Sequence, residues 1–127
     1  MNKKTLIRKN FRDSVFCRDN YTCQVCGANF SQFAKGTRGS EIIEDMLDAH
    51  HITSRKLMVN GGYVKENGVT VCKQLCHLLV ETWDSVSEED LDIANITIED
   101  ISPSSLYAKI GSSYEIALEE STRLGDK

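Results

Sequence analysis

The sequence predicts an α+β fold in which a short strand–turn–strand–helix unit lies between an N-terminal helix and a mainly helical C-terminal extension. Three observations predict this fold. Apolar residues recur at helical spacing in residues 4–19, turn signals precede the short β-branched run at 69–71, and helical spacing returns in residues 73–83. A length of 127 residues suits one domain.

The N-terminal segment, residues 4–19, is predicted to form an amphipathic helix. Basic residues occupy its other faces, and its apolar residues follow helical spacing: Leu6, Ile7, Phe11, Val15 and Phe16. Cys17 lies in this helix, and we interpret it as a small buried apolar residue rather than a metal ligand.

Cysteine spacing predicts a zinc site. Cys23 and Cys26 form a CxxC pair with Gly27 directly behind it, and Cys72 and Cys76 form a second pair with one extra residue between its members. Each pair places two thiolates on one tight turn, and two such pairs can surround one tetrahedral zinc ion. Residues 1–15 show no secretory signal, so we expect a reducing compartment, where such pairs bind metal rather than form disulfides.

The central segment predicts a ββα order. Strand-like composition surrounds the adjacent His50 and His51 in "LDAHHI", and "NGGY" at 60–63 is a strong turn signal. Asn67-Gly68 is a second turn signal before the predicted strand at 69–71, and residues 73–83 are the predicted helix.

Residues 84–127 form an acidic segment that is predicted to be mainly helical. Ser87 and Ser102-Pro103 are typical helix starts, and residues 113–124 are predicted to form a last helix that stops at Gly125. We expect one short strand and two or three helices here. Residues 1–83 would form the functional core, and residues 84–127 an extension packed on it within a single domain.

Charge is distributed unevenly along a chain whose net charge is −4. Residues 1–56 carry ten Lys and Arg against six Asp and Glu, whereas residues 57–127 carry five against thirteen. The first part could face phosphate, although an uneven solvated surface explains the same counts. No apolar run approaches the roughly 18 residues of a membrane span, so we expect no membrane partner and a cytoplasmic location.

Three stretches together resemble the HNH endonucleases, specifically the small zinc-ribbon type of phages and bacteria. They are "FRDSVFCRDNYTCQVCG", "AHHI" and "NGVTVCKQLCH", and they span roughly residues 11–83. The resemblance implies a ββα-metal (HNH) finger with a zinc-binding knuckle, and metal-dependent hydrolysis of DNA phosphodiester bonds. It also implies a bacterial cell or phage-infected host as the location. A homodimer, or a phage or host protein bound through the C-terminal extension, is a further expected partner.

The resemblance implies a role for each site residue. His51 is the general base that activates water, and His50 and His77 hold a catalytic divalent ion. That ion is Mg²⁺ or Mn²⁺, with Zn²⁺ or Ni²⁺ as alternatives. Asn67 positions the loop that carries the base, with direct metal contact as the alternative. A separate structural zinc ion is held by the four paired cysteines, Cys23, Cys26, Cys72 and Cys76.

Two features depart from the simplest form of this pattern. The family's second cysteine pair is usually CxxC, whereas three residues separate Cys72 from Cys76. Neighbouring residues on a regular strand also point to opposite faces, so His50 and His51 can serve one site only where the strand bends or ends. The alternatives to a nuclease are a catalytically silent zinc-stabilised module that binds DNA or protein, and a structural protein whose histidines bind zinc.

Overall fold

A computed structural model describes residues 2–125 and shows an α+β fold, as predicted. Two strands pair in one sheet, and seven α-helices surround it within this range. In chain order the elements are α1 (Lys3–Arg18), α2 (Gly39–Met46), β1 (Leu47–His51), β2 (Gly68–Cys72), α3 (Cys76–Glu81), α4 (Glu88–Ala94), α5 (Ile98–Ile101), α6 (Pro103–Lys109) and α7 (Tyr114–Leu124).

Strands β1 and β2 are antiparallel, and α3 follows them to give the predicted ββα order. Leu47 pairs with Cys72 at one end of the sheet, and His51 pairs with Gly68 at the other. The helix predicted from residue 73 begins only at Cys76, so that part of the prediction is wrong. Residues 73–75 form a turn instead, which brings the Cys76 N–H within 3.3 Å of Cys72 Sγ.

The loop between the two strands contains two 3₁₀ turns, Val59–Gly62 and Lys65–Asn67. The first is the predicted "NGGY" turn, in which Asn60, Gly61 and Gly62 have positive φ. The predicted turn at Asn67-Gly68 ends one residue earlier, because Gly68 already has extended backbone with φ −123°. Glycine is needed at this position for close packing, since a Cβ there would collide with Val15 and Phe11 of α1.

Helix α1 packs on the sheet through one face. Asn2 caps its start by accepting a 2.8 Å hydrogen bond from the Thr5 N–H, and Phe11, Val15 and Phe16 are buried. Cys17 is exposed, so the prediction of a buried residue is wrong. It follows Phe16 by about 100° around the helix, which turns it away from the sheet.

The extension contributes to the same core as the sheet. Ile101, Leu106 and Ala117 are fully or almost fully buried, and they cluster with Val69 and Val71 of β2. The expected helix starts at Ser87, Pro103 and Ser113 are confirmed, as is the stop at Gly125. The expected short strand is wrong for residues 84–125, which contain only helices and connecting turns.

The only run of three β-branched residues in this range, residues 96–98, forms no strand, because side-chain capping starts a helix within it. Thr97 and Asp100 form a reciprocal capping box that starts α5. The boundary between core and extension at residue 83 stays a prediction. No helix in the described part of the chain has both the length and the apolar character of a membrane span.

Candidate active site

Four cysteine sulfurs lie close together between the zinc-binding knuckle, which contains Cys23 and Cys26, and the ββα unit. The Sγ atoms of Cys23, Cys26, Cys72 and Cys76 all lie within 4.8 Å of one another. Zinc–sulfur bonds of about 2.3 Å in a tetrahedron place the sulfurs roughly 3.8 Å apart, so a zinc ion fits with little movement. The extra residue in the second pair is accommodated by the turn before α3.

Local backbone geometry holds these sulfurs in place. Gly27 has a φ of 81°, which lets the chain reverse directly behind Cys26. The Cys26 N–H lies 3.5 Å from Cys23 Sγ, and the Gln24 N–H donates to the Thr70 carbonyl of β2 at 2.9 Å. Hydrogen bonding by the neighbouring Cys76 thiol lowers the pKa of Cys23, whereas burial raises the pKa of Cys26. Cys23 therefore favours thiolate, the form that binds zinc.

A second cluster of possible metal ligands joins β1 to α3. Ligand atoms of His50, His77 and Glu81 lie within 4.8 Å of one another. Burial, followed by the neighbouring imidazoles of His77 and His51, lowers the pKa of His50 to about 3. His50 is therefore neutral at pH 7, as a metal-binding imidazole must be.

Two carboxylates hold the His77 ring in this cluster. Asp48 Oδ2 lies 2.6 Å from His77 Nδ1, and Glu81 Oε1 lies 3.0 Å from Nε2. Asp48 thus fixes the ring orientation and leaves Nε2 for a metal, a common arrangement around metal-binding histidines. Sequence reasoning missed both acids, although spacing signals them. Asp48 precedes His50 by two residues on the same strand face, and Glu81 follows His77 by one helical turn.

His51 faces the opposite side of β1, against α1. Its ring stacks on Phe11 with 4.5 Å between centroids, and its edge contacts Tyr63 at 4.6 Å. Nε2 is buried there without a hydrogen-bond partner in the described chain. Burial, followed by the charge of Arg55, lowers the pKa of His51 to about 4. A neutral imidazole at pH 7 can accept a proton.

His50 and His51 nevertheless line the same cleft. Strand β1 ends at His51, and residues 49–55 on either side of this end line this cleft of about 840 Å³. His50, His51, His77 and Glu81 all line it, together with Arg55. His50 and His51 point to opposite faces of β1, and both can line one cleft because the strand ends at His51.

Asn67 lies outside the cleft and is completely buried. Its Oδ1 accepts a 3.0 Å hydrogen bond from the Thr53 N–H, and its Nδ2 donates to the carbonyls of Thr53 and Gly62 at 3.0 and 3.2 Å. Oδ1 also accepts a 2.6 Å hydrogen bond from Tyr107. The amide therefore makes its full set of hydrogen bonds inside the protein, and it anchors the chain two residues after His51.

The family comparison agrees with this geometry. A family model described as HNH endonuclease matches residues 23–81, which include both cysteine pairs, all three histidines and Asn67. This segment matches the HNH family. The assignment indicates a nuclease-type or metal-binding function on nucleic acid. No curated protein and no solved structure matches the chain significantly.

Residues outside the HNH segment complete the support of the site. Tyr107 of α6 bonds Asn67, and its hydroxyl oxygen also lies 2.6 Å from Thr53 Oγ1. Burial raises the pKa of Tyr107, so its hydroxyl keeps its proton and can donate. Ser121 of α7 accepts from the Gly62 N–H at 3.1 Å. No sequence pattern predicts these contacts, because they depend on how the extension packs.

Proposed function

We propose that this protein is a metal-dependent HNH endonuclease that hydrolyses phosphodiester bonds in DNA. The observation that carries the proposal is a shared cleft. One neutral histidine outside the metal-ligand cluster, His51, lines it together with the cluster itself: His50, His77 and Glu81. A module that only binds DNA has no need of a proton acceptor beside a set of metal ligands.

His51 acts as the general base in this proposal. Because Nε2 is buried, the other ring nitrogen, Nδ1, accepts a proton from the water that attacks phosphorus in this proposal. Phe11 and Tyr63 hold the ring between them, so the nitrogen keeps its direction while the phosphate approaches. The negative charge of that phosphate offsets the positive charge of Arg55, so substrate binding makes His51 a stronger base.

His50, His77 and Glu81 would hold the catalytic divalent ion, which is Mg²⁺ or Mn²⁺ in this proposal. When bound, such an ion neutralises the charge that develops on the phosphoryl oxygens and on the leaving 3′ oxygen. Asp48 keeps His77 in the orientation needed for binding. A separate zinc ion, held by the four cysteines, would fasten the knuckle to α3 and so position His77, which directly follows Cys76.

Asn67 and Tyr107 would act as positioning residues. Asn67 holds the backbone of Thr53 through both its N–H and its carbonyl, and Tyr107 fixes the Asn67 carbonyl from the other side. Thr53 is two residues beyond His51, so these bonds restrain the chain as it leaves β1. The positioning role is favoured over direct metal contact, because the Asn67 side chain is fully hydrogen-bonded and buried.

The experiment is a cleavage assay with zinc-containing protein, supercoiled and linear DNA, and added Mg²⁺, Mn²⁺, Zn²⁺ or Ni²⁺. Cleavage that requires one of these ions supports the proposal. Absence of cleavage with every ion on both forms of DNA overturns it in favour of a silent binding module. Calorimetric Mn²⁺ titration should show weaker binding by Glu81→Gln and His77→Ala, whereas Glu119→Gln on exposed α7 serves as a charge-matched control for Glu81→Gln.

A further inference from the structure

Two exposed arginines near His51 lack acidic partners within the described part of the chain. Neither Arg8 of α1 nor Arg55 forms an ion pair with any of residues 2–125, and both are exposed. On the same helix, Lys9 pairs with Asp13 at 2.5 Å and Arg12 pairs with Glu44 at 3.1 Å. The charge of Arg8 and Arg55 is therefore available to a ligand.

Both arginines lie near His51. Arg55 lines the same cleft as His51, and Arg8 approaches the ring of Tyr63, which contacts His51. The Arg8 guanidinium carbon lies 5.8 Å from the centroid of the Tyr63 ring. Burial acts to raise the pKa of Tyr63, but hydrogen bonding by Arg55 and the charges of both arginines outweigh it and lower that pKa. Two positive groups from distant parts of the sequence thus act on the same phenol.

Like charges that approach one another repel unless an anion lies between them. Guanidinium groups match phosphate oxygens in both geometry and charge, and a shared phosphate would convert this repulsion into attraction. The Tyr63 hydroxyl can donate to the same anion. Since the Tyr63 ring also contacts the His51 ring, any phosphate held here lies next to the proposed base.

We propose that Arg8 and Arg55, with Tyr63 between them, bind one backbone phosphate of DNA adjacent to the phosphate that is cleaved at His51. This inference rests on the proposed nuclease function and adds a substrate-binding role for α1. Arg8 lies outside the segment that matches the HNH family model. The N-terminal helix would then help to place the substrate in addition to packing on the sheet.

The test measures DNA binding rather than cleavage. Fluorescence anisotropy with a labelled duplex, at several NaCl concentrations, gives the slope of log affinity against log salt. The protein is the full chain with the substitution His77→Ala, which keeps DNA intact and leaves His51, Phe11 and Tyr63 unchanged. Wild-type protein without added Mg²⁺ or Mn²⁺ is a second background, should the substitution harm folding.

Loss of one phosphate contact lowers the magnitude of this slope by about 0.9. Arg8→Gln and Arg55→Gln should each cause this change, because the shared phosphate is held only when both arginines contact it. For the same reason the double variant should lose no more slope than one single variant. Arg12→Gln and Lys9→Gln remove a paired charge from the same helix and should leave the slope close to that of the parent protein.

Three results would overturn the inference: an unchanged slope for Arg8→Gln or Arg55→Gln, a doubled loss in the double variant, or an equal loss in both controls. The outcome is distinguishable from failure of the proposed function. The expected loss of salt slope in these variants, in a protein that never cleaves DNA, would support the phosphate site and contradict the nuclease. Cleavage of DNA by the wild-type protein, together with an unchanged salt slope in these variants, would support the nuclease and contradict the phosphate site.

Discussion

The Tyr107 hydroxyl donates a 2.6 Å hydrogen bond to Oδ1 of Asn67, across 40 residues of sequence. This bond joins α6 of the C-terminal extension to the segment that matches the HNH family model. The Thr53 hydroxyl lies at the same distance from the phenol oxygen, so the extension contacts the segment after His51 twice. The acidic extension thus takes part in the structure of the site.

Tyr107→Phe removes only the hydroxyl and should weaken both stability and cleavage. Loss of the hydrogen bond should reduce the free energy of unfolding by about 1 kcal/mol. If Asn67 positions the chain after His51, kcat should fall about tenfold with little change in KM, because small misplacement of a catalytic group is costly. Urea unfolding and steady-state cleavage measure the two effects.

Tyr114→Phe is the matched control, because Tyr114 is 44% exposed and makes no hydrogen bond through its hydroxyl within the described range. It should leave stability and kcat unchanged. If Tyr107→Phe lowers stability but leaves kcat unchanged, Tyr107 has a structural role and does not position the site.

Asn67→Asp distinguishes positioning from metal contact. The aspartate can still accept from Thr53 and Tyr107, but it cannot donate to the carbonyls of Thr53 and Gly62, and it buries a charge. We expect a loss of roughly 2–4 kcal/mol in the free energy of unfolding and a strong loss of cleavage. Were Asn67 a metal ligand, the carboxylate would instead preserve or tighten Mn²⁺ binding, which a calorimetric titration would reveal.

The buried histidines should make the protein sensitive to acid. Burial lowers the pKa of His51 from its ordinary 6.5 to about 4, so the folded state binds fewer protons than the unfolded state between these values. Stability is therefore complete above about pH 6.5 and falls as pH drops towards 4. For His51, we expect a loss on the order of 1 kcal/mol between pH 7 and pH 5.

His51→Gln removes this titration and serves as the comparison. Urea unfolding of both proteins at pH 7 and pH 5, without added Mg²⁺ or Mn²⁺, gives the difference directly, and any effect of acid on the zinc site is common to both. An equal acid sensitivity in the two proteins would contradict the burial of neutral His51.

Substitutions of single cysteines should differ sharply in their effect on zinc content and folding. Cys23→Ser should lose the structural zinc and with it most of the folded state, since binding of structural zinc contributes directly to the free energy of folding. Cys17→Ser, on the exposed face of α1, should keep both. Atomic absorption and circular dichroism measure zinc content and helix content. Retention of zinc by Cys23→Ser would show that the four sulfurs do not form the site.

The parts of the fold that sequence predicts depend on local chemistry. The turn at Gly27, the cysteine pairs and the ββα order each follow from residues close together in the chain. The position of His77 beside His50 follows from its place directly after Cys76, at the start of α3. Glu81 could also be predicted from the sequence, since it follows His77 at position i+4 on the same helix face.

Other features depend on tertiary packing and leave no local pattern. Tyr107 is one tyrosine among four until α6 brings it to Asn67. Gly68 looks like a turn residue, and only the approach of α1 shows why a side chain is excluded there. The exposure of Cys17 likewise depends on which helix face the sheet covers.

The central claim is that His51 takes a proton during DNA cleavage, and one comparison tests it most directly. Wild-type protein and His51→Ala, matched for zinc content and helix content, are incubated with supercoiled DNA and the divalent ion that best supports cleavage. The account predicts that wild-type protein cleaves and that His51→Ala loses at least about a hundredfold in rate, as expected for removal of a general base. Cleavage by His51→Ala at the wild-type rate would contradict it.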